Sequence, residues 1–298
     1  MLHRRWFALL IVLLLLAGLA PAAAEDVSET PAQFQLHQIN IGCADAYLLM
    51  IGDTAIMIDG GNYDYYAKPD KLMNYLRAAG FETLTAYILT HYHSDHDGNF
   101  RLIMEEFGDE NTVVYGPSET LPDKHLPMPC GVYAQMRDGD RFTVGPLSFQ
   151  CIGPAKLSDD NGANNQDSLN FIVTYGARRY LFTGDYASSY NILDHYADDV
   201  RDIDVLKFPH HALEYPEDLH PFYITREALQ LCNPAIILVP GAYAKINRYL
   251  RTLHLTGVCY GNHDGNFIVF SDGESLHVVT NVQPGQYAGR EIPVEDAE

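Results

Sequence analysis

At 298 residues, 47% of them hydrophobic, the chain can bury a sizeable core and does not have the composition of a disordered one. A formal net charge of −20, with no Lys/Arg-rich run, excludes a surface built to track long polyanions. Five cysteines (Cys43, Cys130, Cys151, Cys232, Cys259) show no CxxC spacing, which argues against a zinc ribbon. Their odd number leaves at least one thiol over, and the sequence alone does not pair them.

The N-terminus "MLHRRWFALLIVLLLLAGLAPAAAED" places Arg4 and Arg5 before an apolar run from Trp6 to Ala20, then small residues at Ala22 to Ala24. That order predicts a secretory signal over residues 1–24, hence a secreted or cell-envelope protein. Left uncleaved, the same run is a membrane anchor. Cleavage removes two arginines and no acid, moving the net charge from −20 to −22. A polar linker follows at 25–33, then a single domain over 34–283 and an acidic tail at 284–298.

Within the domain, "FQLHQIN", "AYLLMIG" and "TAIMIDGG" read as three short strands joined by tight turns, the second at Gly52-Asp53. "PDKLMNYLRAAGF" has helical spacing and a stop at Gly80. "TLTAYILT" is a buried strand. It runs into "HYHSDHDGNF", where three histidines and two aspartates crowd seven positions, and "NFRLIMEEFGDE" then starts a helix. After the strand "NTVVYGP", residues 117–138 form a long loop carrying Pro117, Pro122, Pro127 and Pro129. Strands "RFTVGPLSFQCIG" and "SLNFIVTYGARRYLFTGD", a helix around 188–199 and "DIDVLKFPHH" follow. The chain continues with a helix at about 219–231, strand "AIILVP", a helix at 243–253, strand "TGVCY" and the hairpin "NFIVFSDGESLHVVT". Two sheets covered by outer helices accommodate this order as one α/β domain.

His91, His93, Asp95 and His96 form H-x-H-x-D-H. On a loop leaving a strand, alternate side chains point one way, so His91 and His93 can grip one ion and Asp95 and His96 a second. Imidazole with carboxylate suits zinc, or manganese and iron where oxygen ligands dominate. With "IDGG" upstream (Asp59-Gly60-Gly61) and "FTGD" downstream (Thr183-Gly184-Asp185), this pattern resembles the metallo-β-lactamase superfamily. The segments "INIGCADAYLLMIGDTAIMIDGG", "NNQDSLNFIVTYGARRYLFTGD", "DVLKFPHH" and "FIVFSDGESLHV" narrow the likeness to the ComEC-like metallo-hydrolase domain of the competence DNA-uptake channel, over about residues 35–280.

The resemblance implies an αββα sandwich of two mixed sheets flanked by helices. It implies a first metal on His91 and His93 and a second on Asp95 and His96. Asp185 would bridge both, and a histidine of "PHH" would complete the second site. Strand alternation favours His210 as that ligand, with His211 facing the substrate cleft. Asp95, Asp185 and His211 are then the catalytic set, and Asp59 orients the histidine loop through hydrogen bonds. Taken alone, Asp59 also reads as a turn residue and Asp185 as a helix N-cap.

Three departures stand out. Where the wider superfamily carries another histidine, this chain has "GANNQDSLNF", with Asn165 and Ser168, and the only histidine in the interval is His125. The first metal is left with His91, His93, Asp185 and water, a weaker or exchangeable site. "PHHALEY" puts Ala212 and Leu213 where relatives have Gly-Ser on the substrate side, and "GCADA" puts Cys43 in the first turn. His263, in "YGNHDGN", is a turn residue or sits at the pocket edge. His37, His195, His220, His254 and His277 are assigned to structure.

Two divalent ions side by side activate a hydroxide and stabilise charge on the attacked group, so the expectation is a secreted metal-dependent hydrolase. No phosphate-cradling glycine loop or Ser-His-Asp motif competes. The expected substrate is a small or zwitterionic phosphodiester, whose cationic head the twenty tyrosines can help to hold. An extracellular nuclease and a degenerate binding protein are the alternatives, and the acidic charge disfavours nucleic acid. Lactamase activity is disfavoured by the missing histidine.

Overall fold

The first apolar runs fold as a meander, because each is long enough to cross a sheet once and Gly52 takes a left-handed turn (φ 53°) between the second and third. These are β1 (Phe34–Gln38), β2 (Tyr47–Ile51) and β3 (Thr54–Ile58). β4 (Ala86–Ile88), β5 (Val113–Gly116) and β6 (Val132–Gln135) then add in parallel. The second sheet takes β7 (Arg141–Val144), β8 (Leu147–Gly153), β9 (Asn170–Tyr175), β10 (Arg178–Phe182), β11 (Val205–Lys207), β12 (Ile236–Val239) and β13 (Val258–Gly261). The chain returns to the first sheet as the hairpin β14 (Phe267–Ser271) and β15 (Leu276–Val279).

In space the sheets run β15-β14-β1-β2-β3-β4-β5-β6 and β13-β12-β11-β10-β9-β8-β7. Both are mixed. The first is antiparallel up to β3 and parallel beyond it, and the second is parallel from β10 to β13 and antiparallel from β10 to β7. This computed structural model describes residues 33–61, 69–213, 223–241 and 243–288. The expected signal at 1–24, nearly all of the 25–33 linker, His220 and the last residues of the 284–298 tail lie outside them.

Three apolar clusters mark three interfaces between four layers. Phe34, Leu49, Ile56, Phe149, Phe171 and Leu238 meet between the sheets. The outer face of the first sheet packs on α1 (Pro69–Ala79), α2 (Ser94–Asp97) and α3 (Phe100–Phe107), through residues such as Leu72, Leu76, Phe100 and Met104. The second sheet is covered by α4 (Ser189–His195), α5 (Ala197–Val200), α6 (Arg226–Cys232) and α7 (Ala244–Thr252), with Ile192, Leu229, Ile246 and Leu250 buried. This is the αββα sandwich that the sequence predicts. Burying apolar surface on both faces of both sheets explains why so many strands read as unbroken apolar runs.

Local differences have local causes. The expected helix around 188–199 is two helices, because Tyr196 leaves helical geometry (φ −128°) between them. Of the helix expected at about 219–231, residues 219–222 lie outside the described ones, and α6 starts at Arg226, where the Thr225 side chain caps it by accepting from the Ala228 amide at 3.1 Å. The 117–138 segment is not wholly loop: it contains a 3₁₀ turn at Asp123–His125 and the edge strand β6. All five cysteines are free, three of them buried.

His37 is buried on β1, where Nδ1 lies 2.8 Å from the Tyr75 hydroxyl and Nε2 3.0 Å from Gln35 Oε1. Both bonds suit a neutral ring, and burial pushes its pKa down from 6.5 to about 3. Unfolded chains take up this proton near 6.5 and the folded protein only near 3. The stability is therefore whole above 6.5 and is lost as pH falls between those values, by up to about 1.4 kcal/mol per pH unit. Urea midpoints measured from pH 7 to 4.5 should fall less steeply for His37→Gln than for the parent. Parallel curves would show that His37 does not stay neutral in the fold.

Candidate metal centre

The carboxyl ends of parallel strands from both sheets meet at one rim. β3 delivers Asp59, and the turn after β4 delivers His91, His93, Asp95 and His96. β10 leads through Thr183-Gly184 to Asp185, and β11 leads through Pro209 to His210 and His211. Gly184 adopts φ 53°, and a Cβ there would lie 2.7 Å from the Ser168 side chain, so only glycine fits this approach. Backbone bonds lock the loops together: Asp45 N–H donates to the Asp95 carbonyl at 3.0 Å and Leu169 N–H to that of Thr90 at 2.9 Å.

Asp185 sits at the centre, buried, with each carboxylate oxygen facing a different group of histidines. Oδ1 is 3.0 Å from His96 Nε2 and 3.5 Å from His211 Nε2, and His211 Nε2 is 3.2 Å from Asp95 Oδ2. Ligands around a tetrahedral zinc stand about 3.3 Å apart, given bonds of about 2.0–2.1 Å. His96 Nε2 and both Asp185 oxygens are buried without a hydrogen-bond partner. Unpaired buried groups are costly, and a divalent ion among Asp95, His96, Asp185 and His211 would satisfy them. The other oxygen, Oδ2, is 3.9 Å from His91 Nε2, which is itself 3.1 Å from His93 Nδ1. His91, His93 and Asp185 form a second set able to hold an ion.

Each histidine of the Oδ1 set has a carboxylate behind its far nitrogen. His96 Nδ1–H donates to Asp59 Oδ2 at 2.7 Å, and Asp59 also accepts from the Thr90 amide at 2.8 Å and hydroxyl at 2.7 Å. His211 Nδ1 lies 3.3 Å from Asp45 Oδ1. Asp45, His96, Asp185 and His211 also lie close enough to form a ligand set by themselves. Lys207 Nζ, however, holds Asp45 Oδ2 at 2.5 Å, which puts Asp45 behind the ring and leaves Nε2 facing Asp95. A carboxylate behind a ligating histidine fixes its tautomer and raises its basicity. Asp59→Asn is expected to weaken metal binding by about 10–100-fold, as read by competition with a chromophoric chelator. Unchanged affinity would show that Asp59 serves only the turn.

Burial pulls the His96 and His211 pKa values down, but the surrounding carboxylates outweigh it and hold both well above 6.5. Burial tends to raise Asp185, yet His96 and His211 hold it well below the usual carboxylate range. His91, deep and beside His96, is driven well below 6.5. In the metal-free site His96 and His211 therefore carry protons that an incoming ion would displace, while His91 presents a neutral ring. Lys207 is fully buried, donates to the Gly184 carbonyl at 2.6 Å and lies 3.6 Å from Asp185 Oδ1. Asp45 and Lys207 were absent from the sequence expectations. Their signals were a lysine inside the apolar strand "VLKF" and an acid directly before "AYLLMI".

The histidine pair is placed opposite to the alternation argument. His211, not His210, joins Asp95, His96 and Asp185. β11 ends at Lys207, and His210, His211 and Ala212 all take left-handed backbone (φ 50°, 52° and 60°), so the rule for extended chain does not apply there. Ser168 is buried behind the first set: its hydroxyl accepts from the Asp185 amide at 2.9 Å and lies 3.4 Å from His91 Nδ1. Asn165 begins the 3₁₀ turn that ends beside Ser168, and its carbonyl accepts from the Ser168 amide at 3.1 Å. His125 stands outside both ligand sets: Nε2 meets Asp97 at 2.8 Å, and Lys124 holds the same oxygen. His263 is exposed, its ring 6.1 Å from Tyr243, and stands outside both ligand sets.

Two mixed sheets between helical layers, with a histidine–aspartate cluster at one rim, define a metallo-β-lactamase fold. Residues 43–147 match the metallo-beta-lactamase superfamily model. Over 100 residues it is 34% identical to hydroxyacylglutathione hydrolase from Klebsiella pneumoniae and 36% identical to that of Photorhabdus laumondii. Each match covers 34% of this chain and 32% of the relative, so the likeness spans about a third of those enzymes. The metallo-β-lactamase-fold protein YhfI from Bacillus subtilis superposes with a TM-score of 0.56 at 16% identity, over 80% of this chain and 100% of that one. A diphosphatase of the PhnP family gives 0.51 at 13%, over 78% and 96%. These two likenesses concern the fold alone.

Proposed function

We propose that the protein is a two-metal hydrolase of small ester substrates, with phosphodiesters as the first class to test and thioesters as the second. The observation that carries the reading is Asp185: a buried carboxylate with neither oxygen in a well-formed hydrogen bond, one facing His96 and His211 and the other facing His91. Divalent ions held there would make a water acidic enough to attack at neutral pH and would stabilise charge developing on the attacked group. The chain's own residues hold and orient. Asp95, Asp185 and His211 line the reacting side, while Asp59, Asp45 and Ser168 fix the rings and the bridging carboxylate from behind. The thioester reading rests on the likeness to hydroxyacylglutathione hydrolases. That likeness runs over 100 residues, only a third of those enzymes.

Beside the cluster, Ala212 is buried and Leu213 is 48% exposed, so this edge offers apolar contact where the resemblance has Gly-Ser. Net charge disfavours duplex DNA, and export remains part of the proposal on the N-terminal sequence alone. The test is a side-by-side assay of zinc- and manganese-loaded protein on a chromogenic phosphodiester, a phosphocholine ester, a glutathione thioester, and single- and double-stranded DNA, with His93→Ala as blank. Fastest turnover of a small phosphodiester supports the reading. DNA cut best, with activity falling steeply in salt, points to a nuclease. Metal bound without turnover of any substrate points to a binding protein.

A further inference from the structure

The outward face of the second sheet changes character part-way along its strands. Ile152 on β8 and Ile172 on β9 point outward and are buried under the helical layer. The cover is pinned there, with the Asn191 side chain of α4 donating to the Ile152 carbonyl at 3.0 Å. Beyond that point the outward residues are Arg141 and Thr143 on β7, Ser148 and Gln150 on β8, and Thr174 on β9, and they line a cavity of about 320 Å³. Small-ligand sites start at roughly 300 Å³. The cavity lies away from the metal rim. Gly153, at the opposite end of β8, is the residue that packs beyond Asp185, where an added Cβ would come within 2.6 Å of the Ser188 hydroxyl.

Polarity alone would mark an ordinary solvent-facing sheet, since threonine suits exposed strands. Gln150 does not fit that description. Its Nε2 is enclosed without a hydrogen-bond partner, and an enclosed donor left unpaired is costly. Its cross-strand neighbour Arg141 is 66% exposed and comes no nearer than 3.9 Å to Asp199 on α5. The two side chains thus offer N–H donors side by side on one face. In the next row Thr143 pairs with Ser148 and Ser148 with Thr174, so three hydroxyls form a ladder across the strands. None of these hydroxyls is engaged by another group among the described residues. The rows are two residues apart along each strand, roughly 7 Å.

We propose that this cavity binds a small hydroxylated carboxylate, of the sugar-acid class. The ligand carboxylate accepts from the Arg141 guanidinium and from Gln150 Nε2, a charge-assisted pairing. The ligand hydroxyls exchange hydrogen bonds with Thr143, Ser148 and Thr174, each of which can both donate and accept. A neutral sugar would leave the arginine without a counter-charge, and a bare carboxylate would leave the hydroxyl ladder unused. The net charge of −20 opposes a polyanion, so the ligand is a single acid and not an acidic polysaccharide. The site uses no residue of the metal centre and stands independently of the two-metal reading.

The test is titration of isotope-labelled full-length protein, metal-free and zinc-loaded, with glucuronate, glucose, acetate and an oligogalacturonate, followed by NMR and calorimetry. Glucuronate should bind with a Kd on the order of 1 mM, and glucose, acetate and the oligomer roughly tenfold more weakly or worse. The affinity should be the same in both forms, and the shifted amides should be those of Phe142, Thr143, Phe149, Gln150 and Thr174. Gln150→Leu and Arg141→Ala should each weaken glucuronate roughly tenfold without changing zinc affinity. Thr143→Val, nearly equal in shape, should weaken glucuronate and leave acetate unaffected. Shifts confined to the metal rim, glucose or the oligomer bound as tightly as glucuronate, or parental glucuronate affinity in both Gln150→Leu and Arg141→Ala would overturn the assignment.

Discussion

Replacing Asp185 by asparagine should leave a folded protein nearly free of metal, with hydrolysis reduced on the order of 10³-fold or more. The amide keeps the volume but halves the acceptor capacity and removes the charge, and both oxygens of Asp185 are needed, one by each histidine group. The main-chain bond from the Asp185 amide to Ser168 Oγ does not depend on the side chain, so the loop should hold its path. Elemental analysis and circular dichroism on the same sample check the two halves of this expectation. Two tightly held ions in Asp185→Asn would show that the carboxylate is not shared.

Lys207→Met should produce the largest loss of stability, roughly 3–5 kcal/mol in the metal-free protein. Lys207 is buried with its ammonium on Asp45, on the Gly184 carbonyl and near Asp185. Burial depresses its pKa, but these carboxylates more than restore it, so the group is charged. Methionine fills the space and leaves Asp45 as a buried anion whose remaining ion-pair partners among the described residues are His211 and His96. Breaking a buried pair is costly mainly because the surviving charge stays uncompensated. The double variant Asp45→Asn/Lys207→Met should therefore recover a large part of the loss, read from urea midpoints. Equal and additive losses would show that the two side chains do not act as a pair.

Much of this was legible in the sequence where one short segment carries the whole signal. H-x-H-x-D-H lies within six residues on a loop after a strand, so spacing alone brings four candidate ligands together. Asp59, Asp185 and Ser168 were reachable through the resemblance, and the structure places them behind or between the rings. What was not legible depends on where the chain stops being regular. His210 and His211 were ordered by strand alternation, but the strand ends at Lys207 and a left-handed turn carries the pair. Asp45 and Lys207 are a single acid and a single base 162 positions apart, and only the pairing of two sheets makes them neighbours. β6 was hidden inside a proline-rich stretch because, as an edge strand with one parallel partner, it needs no long apolar run.

The central claim is that one carboxylate joins two metal sites built from both sheets. Diffraction from crystals of zinc-reconstituted protein, with anomalous maps recorded on either side of the zinc edge, tests it most directly. Two zinc peaks are predicted on either side of Asp185: one among Asp95, His96, Asp185 and His211, the other among His91, His93 and Asp185. Maps with no peak in this cluster, or with zinc bound only elsewhere while these histidines and carboxylates bond to one another, would contradict the account.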